Sequence, residues 1–153
     1  MLKIRFIIVG NTKSPFLKQG ESFYLERLQR YTATEWIEVK PQKVKKGRSR
    51  KEILTVEGRS IEKKYLPKDH VIALDPRGKE YNSEGLADRI EKISLIGKRL
   101  CFVIGGPLGL SEHILRRADE TLSLSKLTLT HEMSRLVLLE QLYRAYTIIK
   151  GEK

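Results

Sequence analysis

The sequence predicts an α/β fold in which a mostly parallel sheet is flanked by helices. Three observations carry that expectation. Strand-like and helix-like segments alternate throughout the 153 residues. The length suits one domain, residues 1–153, in which folding buries roughly 70% of the surface of the unfolded chain. No internal repeat, low-complexity tract or linker interrupts it.

The elements follow in order. Residues 2–9 (LKIRFIIV) alternate as an opening strand, and no small-residue cleavage site follows them, so the start does not read as a signal peptide. Residues 15–31 set Phe16, Phe23, Tyr24, Leu28 and Tyr31 on a helical stripe. TEWIEV, 34–39, is the second strand and a basic loop follows it; 50–65 is helical in pattern, with Gly58 as its weak point. HVIALD, 70–75, is the third strand, ended by the turn residues Pro76, Arg77 and Gly78. Asn82 or Ser83 caps the next helix, whose face is Leu86, Ile90 and Ile93.

RLCFVI, 99–104, is the fourth strand, and Ser111 caps a short helix carrying Ile114 and Leu115. Residues 122–130 (LSLSKLTLT) alternate except at Ser125 and Lys126. A last helix runs from His131 to about Lys150 with apolar residues around most of its circumference: Met133, Leu136, Val137, Leu138, Leu139, Leu142, Tyr143, Tyr146, Ile148 and Ile149. A helix apolar on more than one face needs more than one covering surface. Its own sheet is one, and a second subunit is expected to be the other.

Composition narrows the function. No apolar run has the length of a membrane span. The single cysteine, Cys101, forbids an internal disulfide, fits a reducing, cytoplasmic compartment and is expected to be buried. His70, His113 and His131 lack metal-ligand spacing, so no metal is expected. Thirty Lys and Arg against nineteen Asp and Glu give a net charge of +11, which favours a polyanionic partner. The densest run, 40–51, holds seven basic residues and no acidic one. It also holds no aromatic for base stacking, so it is either a solvated loop or a grip on nucleic-acid backbone through Lys43, Lys45, Lys46, Arg48 and Arg50.

In an open parallel sheet, ligands bind beyond the carboxyl ends of the strands. Three loops leave such ends: 75–78, 105–109 and 125–130. The loop Gly105-Gly106-Pro107-Leu108-Gly109 lacks the G-x-G-x-x-G spacing of a dinucleotide site, and no P-loop pattern occurs. Pro107 removes a backbone donor that a phosphate would use, and Leu108 and Leu110 are apolar. The loop is either a tight turn or a wall against which an uncharged, flat ligand such as adenosine lies. His131 can be a half-buried capping residue. Glu140 and Arg144 stand four apart as an ion pair does, on a helix otherwise too apolar for a simple surface pair.

Four stretches together resemble a known family: VIALDPRGKEYNSEGLA (71–87), FVIGGPLGLSE (102–112), LSLSKLTLTHEMSRLVLLEQLYRAY (122–146), and a first strand ending in Val9 and Gly10. The chain is similar, in order and over nearly its whole length, to the ribosomal large subunit methyltransferase H family. These are small members of the SPOUT class of S-adenosylmethionine-dependent RNA methyltransferases. The resemblance implies a Rossmann-like SPOUT fold with a C-terminal trefoil knot, and a homodimer in which each pocket is completed near the partner. It implies as substrate a pseudouridine in a hairpin loop of 23S ribosomal RNA, methylated at N3 in the ribosome. Rival readings are a non-catalytic ribosome-binding protein and a SPOUT methyltransferase of another RNA.

By position, the resemblance places the cofactor against Leu74, Gly106 and the run Ser125, Lys126, Leu127, Thr128, Leu129 and Thr130, with Gly105 and Ile104 contributing backbone. It sets His131, Glu140 and Arg144, and also Arg135, on the RNA-facing side. His131 would accept the N3 proton, or Arg144 would stabilise charge on the base while Glu140 orients it. The chain departs from the family pattern twice. Thr130 stands where proline is common, and can cap the helix instead. The chain stops at Lys153, where members usually add a Tyr-His pair that is expected to help close the site.

Overall fold

The computed structural model describes residues 3–152. Leu2, where the expected first strand opens, and Lys153 lie outside them. Five strands form one sheet in the order β2-β1-β4-β3-β5: β1 (Lys3–Val9), β2 (Ala33–Val39), β3 (Asp69–Lys79), β4 (Arg99–Ile104) and β5 (Glu120–Leu122). Every pairing is parallel. The helices are α1 (Pro15–Leu28), α2 (Arg50–Glu62), α3 (Ser83–Leu95), α4 (Glu112–Arg117) and α5 (His131–Ile149).

β1 from Phe6 and β4 from Leu100 are apolar at every position, because both faces of the sheet are covered there. Ile4, Phe6 and Ile8 of β1 join Leu100, Phe102 and Ile104 of β4 beneath α1, α3 and α5. The alternate residues Ile7, Val9, Cys101 and Val103 point the other way, toward Ile61 of α2 and Ile114 of α4. Cys101 is fully buried, and burial pushes its thiol up to about 12, so it stays protonated.

α5 lies across the larger core between α1 and α3. Its Leu138, Leu139, Leu142 and Ala145 are fully buried, while Tyr143, Tyr146 and Ile149 pack at the margin. The caps are those the sequence suggests. Ser111 and Thr130 accept from the backbone N–H groups of Ile114 and Met133, and Asn82, rather than Ser83, accepts from Gly85.

Three expectations need correction. The buried side of α1 is Leu17, Glu21 and Leu28, with Tyr24 packed beside them, whereas Phe16 and Phe23 are 67% and 45% exposed. α1 also stops at Leu28, where the N–H groups of Tyr31 and Thr32 both turn back to the Leu28 carbonyl. α2 ends at Glu62 rather than 65.

The third strand does not simply end at the 76–78 turn. Leu74 pairs with Leu122, residues 75–78 leave the ladder, and Lys79 then pairs with the same Leu122. The Ser123 N–H donates to the Lys79 carbonyl at 2.9 Å. β5 therefore passes close against the 75–79 loop, and a Cβ on Gly78 would sit 2.7 Å from the Leu122 backbone nitrogen. The nearest atoms are all backbone of β5, not the end of a flexible side chain, so Gly78→Ala must displace β5. Urea unfolding is expected to show a loss of roughly 1–3 kcal/mol or more.

Candidate functional site

β4, β3 and β5 run parallel, so their carboxyl-end segments meet at one edge of the sheet, around a cavity of about 1590 Å³. The irregular stretch within β3 brings Leu74, Asp75, Pro76 and Arg77; the end of β4 brings Ile104 and the glycine loop; after β5 comes the stretch that leads to His131. Of the residues assigned to a cofactor, Leu74, Gly105, Gly106, Ser125, Leu127, Thr128, Leu129 and Thr130 line this cavity together. Lys126 is exposed and does not line it.

Local chemistry shapes each wall. The glycine loop is a β-turn in which the Gly109 N–H donates to the Gly106 carbonyl at 3.0 Å, with Pro107 second in the turn. Gly109 takes a φ of +81°, and a Cβ on Gly105 would lie 2.4 Å from the Gly109 carbonyl oxygen. The loop is thus a turn and a wall at once. In the 75–78 loop, the Asp75 carboxylate accepts from the Arg77 N–H at 2.8 Å and from its Nε at 3.1 Å. Burial works against ionisation of Asp75, but these Arg77 bonds prevail and hold its carboxyl below the ordinary value. The Ser125 hydroxyl accepts from the Leu127 N–H at 2.9 Å and so orders the start of the third wall.

The first two turns of α5 are tied to the end of β1 and to α1. Arg135 is fully buried, its Nη2 donating to the Val9 carbonyl at 2.7 Å and its Nη1 to Thr12 Oγ1 at 2.9 Å. Thr12 in turn donates to the buried Glu21 carboxylate at 2.5 Å. Glu132 accepts from the N–H groups of Lys13 and Ser14 at 3.2 and 3.1 Å. Arg135 was expected on the RNA-facing side; the structure instead places it inside, where it fixes α5 to the end of β1. Thr12, Glu21 and Glu132 escaped the sequence reading. The only signal was two acidic residues on helices otherwise packed by apolar ones.

His131, one turn before Arg135, lines the cavity with its side chain 27% exposed. Burial lowers its pKa, the nearby charges of Arg135 and Lys13 lower it further, and Glu132, 4.0 Å away, opposes them. Its imidazole is therefore neutral at pH 7 and able to accept a proton.

Glu140 and Arg144 do not join His131 in this chain. They pair with each other at 3.4 Å farther along α5 and do not line the cavity. Within the basic loop, Lys43, Lys45 and Lys46 are exposed and Arg48 donates to Gln42. Arg50 reaches the mouth of the cavity, where its Nη2 donates to the Leu108 carbonyl at 2.8 Å. Among the described residues no cluster of His, Cys, Asp and Glu could hold a metal, and no helix is long and apolar enough to cross a membrane.

A family model described as "Predicted SPOUT methyltransferase" matches residues 2–153. The chain is 44% identical to the ribosomal RNA large subunit methyltransferase H of Bacillus pumilus (strain SAFR-032), over 99% of this chain and 98% of that protein. It is 43% identical to the protein of that name in an Exiguobacterium species, with the same coverage. Among solved structures, a probable methylase family protein from Haemophilus influenzae Rd KW20 superposes with a TM-score of 0.59 at 16% identity, covering 100% of this chain and 70% of that one. The tRNA (m1G37) methyltransferase of Aquifex aeolicus gives 0.55 at 18% identity, covering 93% and 69%. At those identities the two structures establish a shared fold.

Arg135→Met tests the anchor. It strands the Val9 carbonyl, Thr12 and the Glu21 carboxylate in the interior, and is expected to cost roughly 3 kcal/mol in urea unfolding.

Proposed function

The chain belongs to the SPOUT methyltransferase family, and from that premise we propose that it is an S-adenosylmethionine-dependent methyltransferase of 23S ribosomal RNA. The target we assign is N3 of a pseudouridine. The observation that supports this reading is the convergence of the 105–109 turn, the 125–130 stretch and His131 on one cavity. Relatives that match nearly end to end carry the name ribosomal RNA large subunit methyltransferase H. A ribosomal substrate makes the cytoplasm the expected location.

The residues present fit the cofactor. Ile104, Leu74, Leu122, Leu124 and Leu129 offer an apolar lining, and the glycine turn brings backbone close, as a flat adenosine requires. Gly105, Gly106 and the 125–130 stretch would hold it. When bound, S-adenosylmethionine supplies a methyl group on a positively charged sulfur. The chain's own task is to align the base and take up a proton. Neutral His131 accepts the N3 proton, and the anchor through Arg135 and Glu132 holds that imidazole in place. The close passage of β5 against the 75–79 loop supports a trefoil knot as the device that keeps the 125–130 stretch over the pocket.

A homodimer reconciles the position of Glu140 and Arg144. At about 1.5 Å per residue they lie roughly 13 and 20 Å along α5 from His131, beyond reach of their own cavity. The partner's pocket would receive them, where Arg144 stabilises charge on the base and Glu140 orients Arg144.

Calorimetry with S-adenosylmethionine is expected to show one site per chain; no heat would leave a ribosome-binding protein without catalysis. His131→Ala should lower turnover on pseudouridylated ribosomes by roughly 10²–10⁴-fold without weakening cofactor binding. Full turnover in that variant would remove the histidine from the mechanism. Because its pKa is lowered, the wild-type rate should rise with pH and reach half its plateau below about 6.5, the value of a free imidazole. Mixing inactive His131→Ala and Arg144→Ala chains should restore about a quarter of wild-type activity, since half the dimers then carry one intact shared site. Self-contained sites would give no recovery.

A further inference from the structure

The cavity is larger than a small molecule needs. Pockets for ligands of that kind run to roughly 1,000 Å³ at most, against about 1590 Å³ here. The surplus is a groove between α2 and α4. α2 turns one stripe toward it, with Arg50, Leu54, Gly58 and Glu62 at four-residue spacing and Lys51 and Arg59 alongside. Leu54 and Gly58 are buried beneath it. A Cβ on Gly58 would lie 3.2 Å from Ile114 Cγ1 and 3.3 Å from Ser111 Oγ, so the missing side chain is what lets α4 close this floor.

The rims carry the charge. Arg50, Lys51 and Arg59 come from α2 and Arg116 from α4, all exposed. The two carboxylates of the groove are already engaged, Glu62 with His113 at 2.8 Å and Glu112 with Arg77 at 3.1 Å. Among the described residues, Lys51, Arg59 and Arg116 have no carboxylate partner. No Phe, Tyr or Trp lines the groove. It has the chemistry to hold phosphates and lacks the large aromatic rings on which bases stack best.

We propose that this groove seats the ribose-phosphate backbone of the RNA strand flanking the target nucleotide, with Arg50, Lys51, Arg59 and Arg116 on its phosphates. The inference rests on the methyltransferase reading, since a nucleotide entering the cavity brings its neighbouring phosphates to the cavity's open side. An RNA strand fits better than an acidic protein because the groove is continuous with that cavity. It also begins at Arg50, the last arginine of the basic run, held at the cavity mouth by the Leu108 carbonyl. The groove grips without reading sequence, and the choice of target falls to the cavity.

The test is the salt dependence of binding to a fluorescein-labelled RNA hairpin with an unpaired loop, by anisotropy, for the wild type, Arg59→Ala/Arg116→Ala and Arg59→Lys/Arg116→Lys. Two lost single-strand phosphate contacts should lower the slope of log affinity against log salt by about 1.4, and the lysine pair should restore it. Cofactor binding and melting temperature should not change, because both side chains are exposed. In ribosome assays the alanine pair should raise KM and leave kcat unchanged. An unchanged RNA slope overturns the proposal. So does a loss of affinity for polyglutamate with RNA binding intact, which would give the groove to an acidic protein. If the slope falls but the wild type transfers no methyl group to ribosomes, the groove stands and the enzymatic reading fails.

Discussion

The buried guanidinium of Arg135 is the interaction on which the rest of the site depends. One side chain on the second turn of α5 reaches the last carbonyl of β1 and the hydroxyl of Thr12, and through Thr12 it meets the Glu21 carboxylate of α1. A charge is costly to bury, and that cost is offset only when hydrogen bonds and an opposite charge surround it. Those partners exist only when α5 starts at one place relative to the sheet. His131 and the 125–130 stretch, which precede Arg135 immediately in the chain, inherit that placement. Glu132 adds a second tie from the preceding turn to the backbone of Lys13 and Ser14.

Around that anchor the pocket combines an apolar lining with backbone that small residues bring close. A glycine turn that admits no Cβ at position 105, a serine that folds its own loop and a threonine that caps α5 define the walls. Charge lies outside, on the basic loop and along α2 and α4. This division separates two tasks. An apolar cavity suits a flat, neutral moiety, whereas hydrated lysine and arginine at the rim suit a polyanion.

Much of this was legible in the sequence, and the limits have physical causes. The strand 99–104 was bounded correctly, because an apolar run between a basic residue and two glycines leaves no alternative. Ser111 and Thr130 were identifiable as caps because capping is local. The buried face of α1 was legible only in part. Leu28 and Tyr24 pack inward as expected, but Phe16 and Phe23 are as apolar as Leu17, and only packing against α5 chooses between them. The family resemblance sets Arg135 on the RNA-facing side; its burial depends on partners more than a hundred residues earlier, which no local pattern reveals. The groove beside the cavity was invisible for the same reason, since it exists only where α2 and α4 approach across Gly58.

The central claim is that this chain methylates one pseudouridine of 23S ribosomal RNA. The most direct measurement is mass-spectrometric mapping of modified nucleotides in ribosomal RNA from a bacterial strain deleted for this gene, with and without the gene restored on a plasmid. The account predicts one N3-methylpseudouridine in a hairpin loop of 23S RNA that disappears on deletion and returns with the plasmid. Loss of a methyl group from a different base or a different RNA, or no change in methylation, would contradict it.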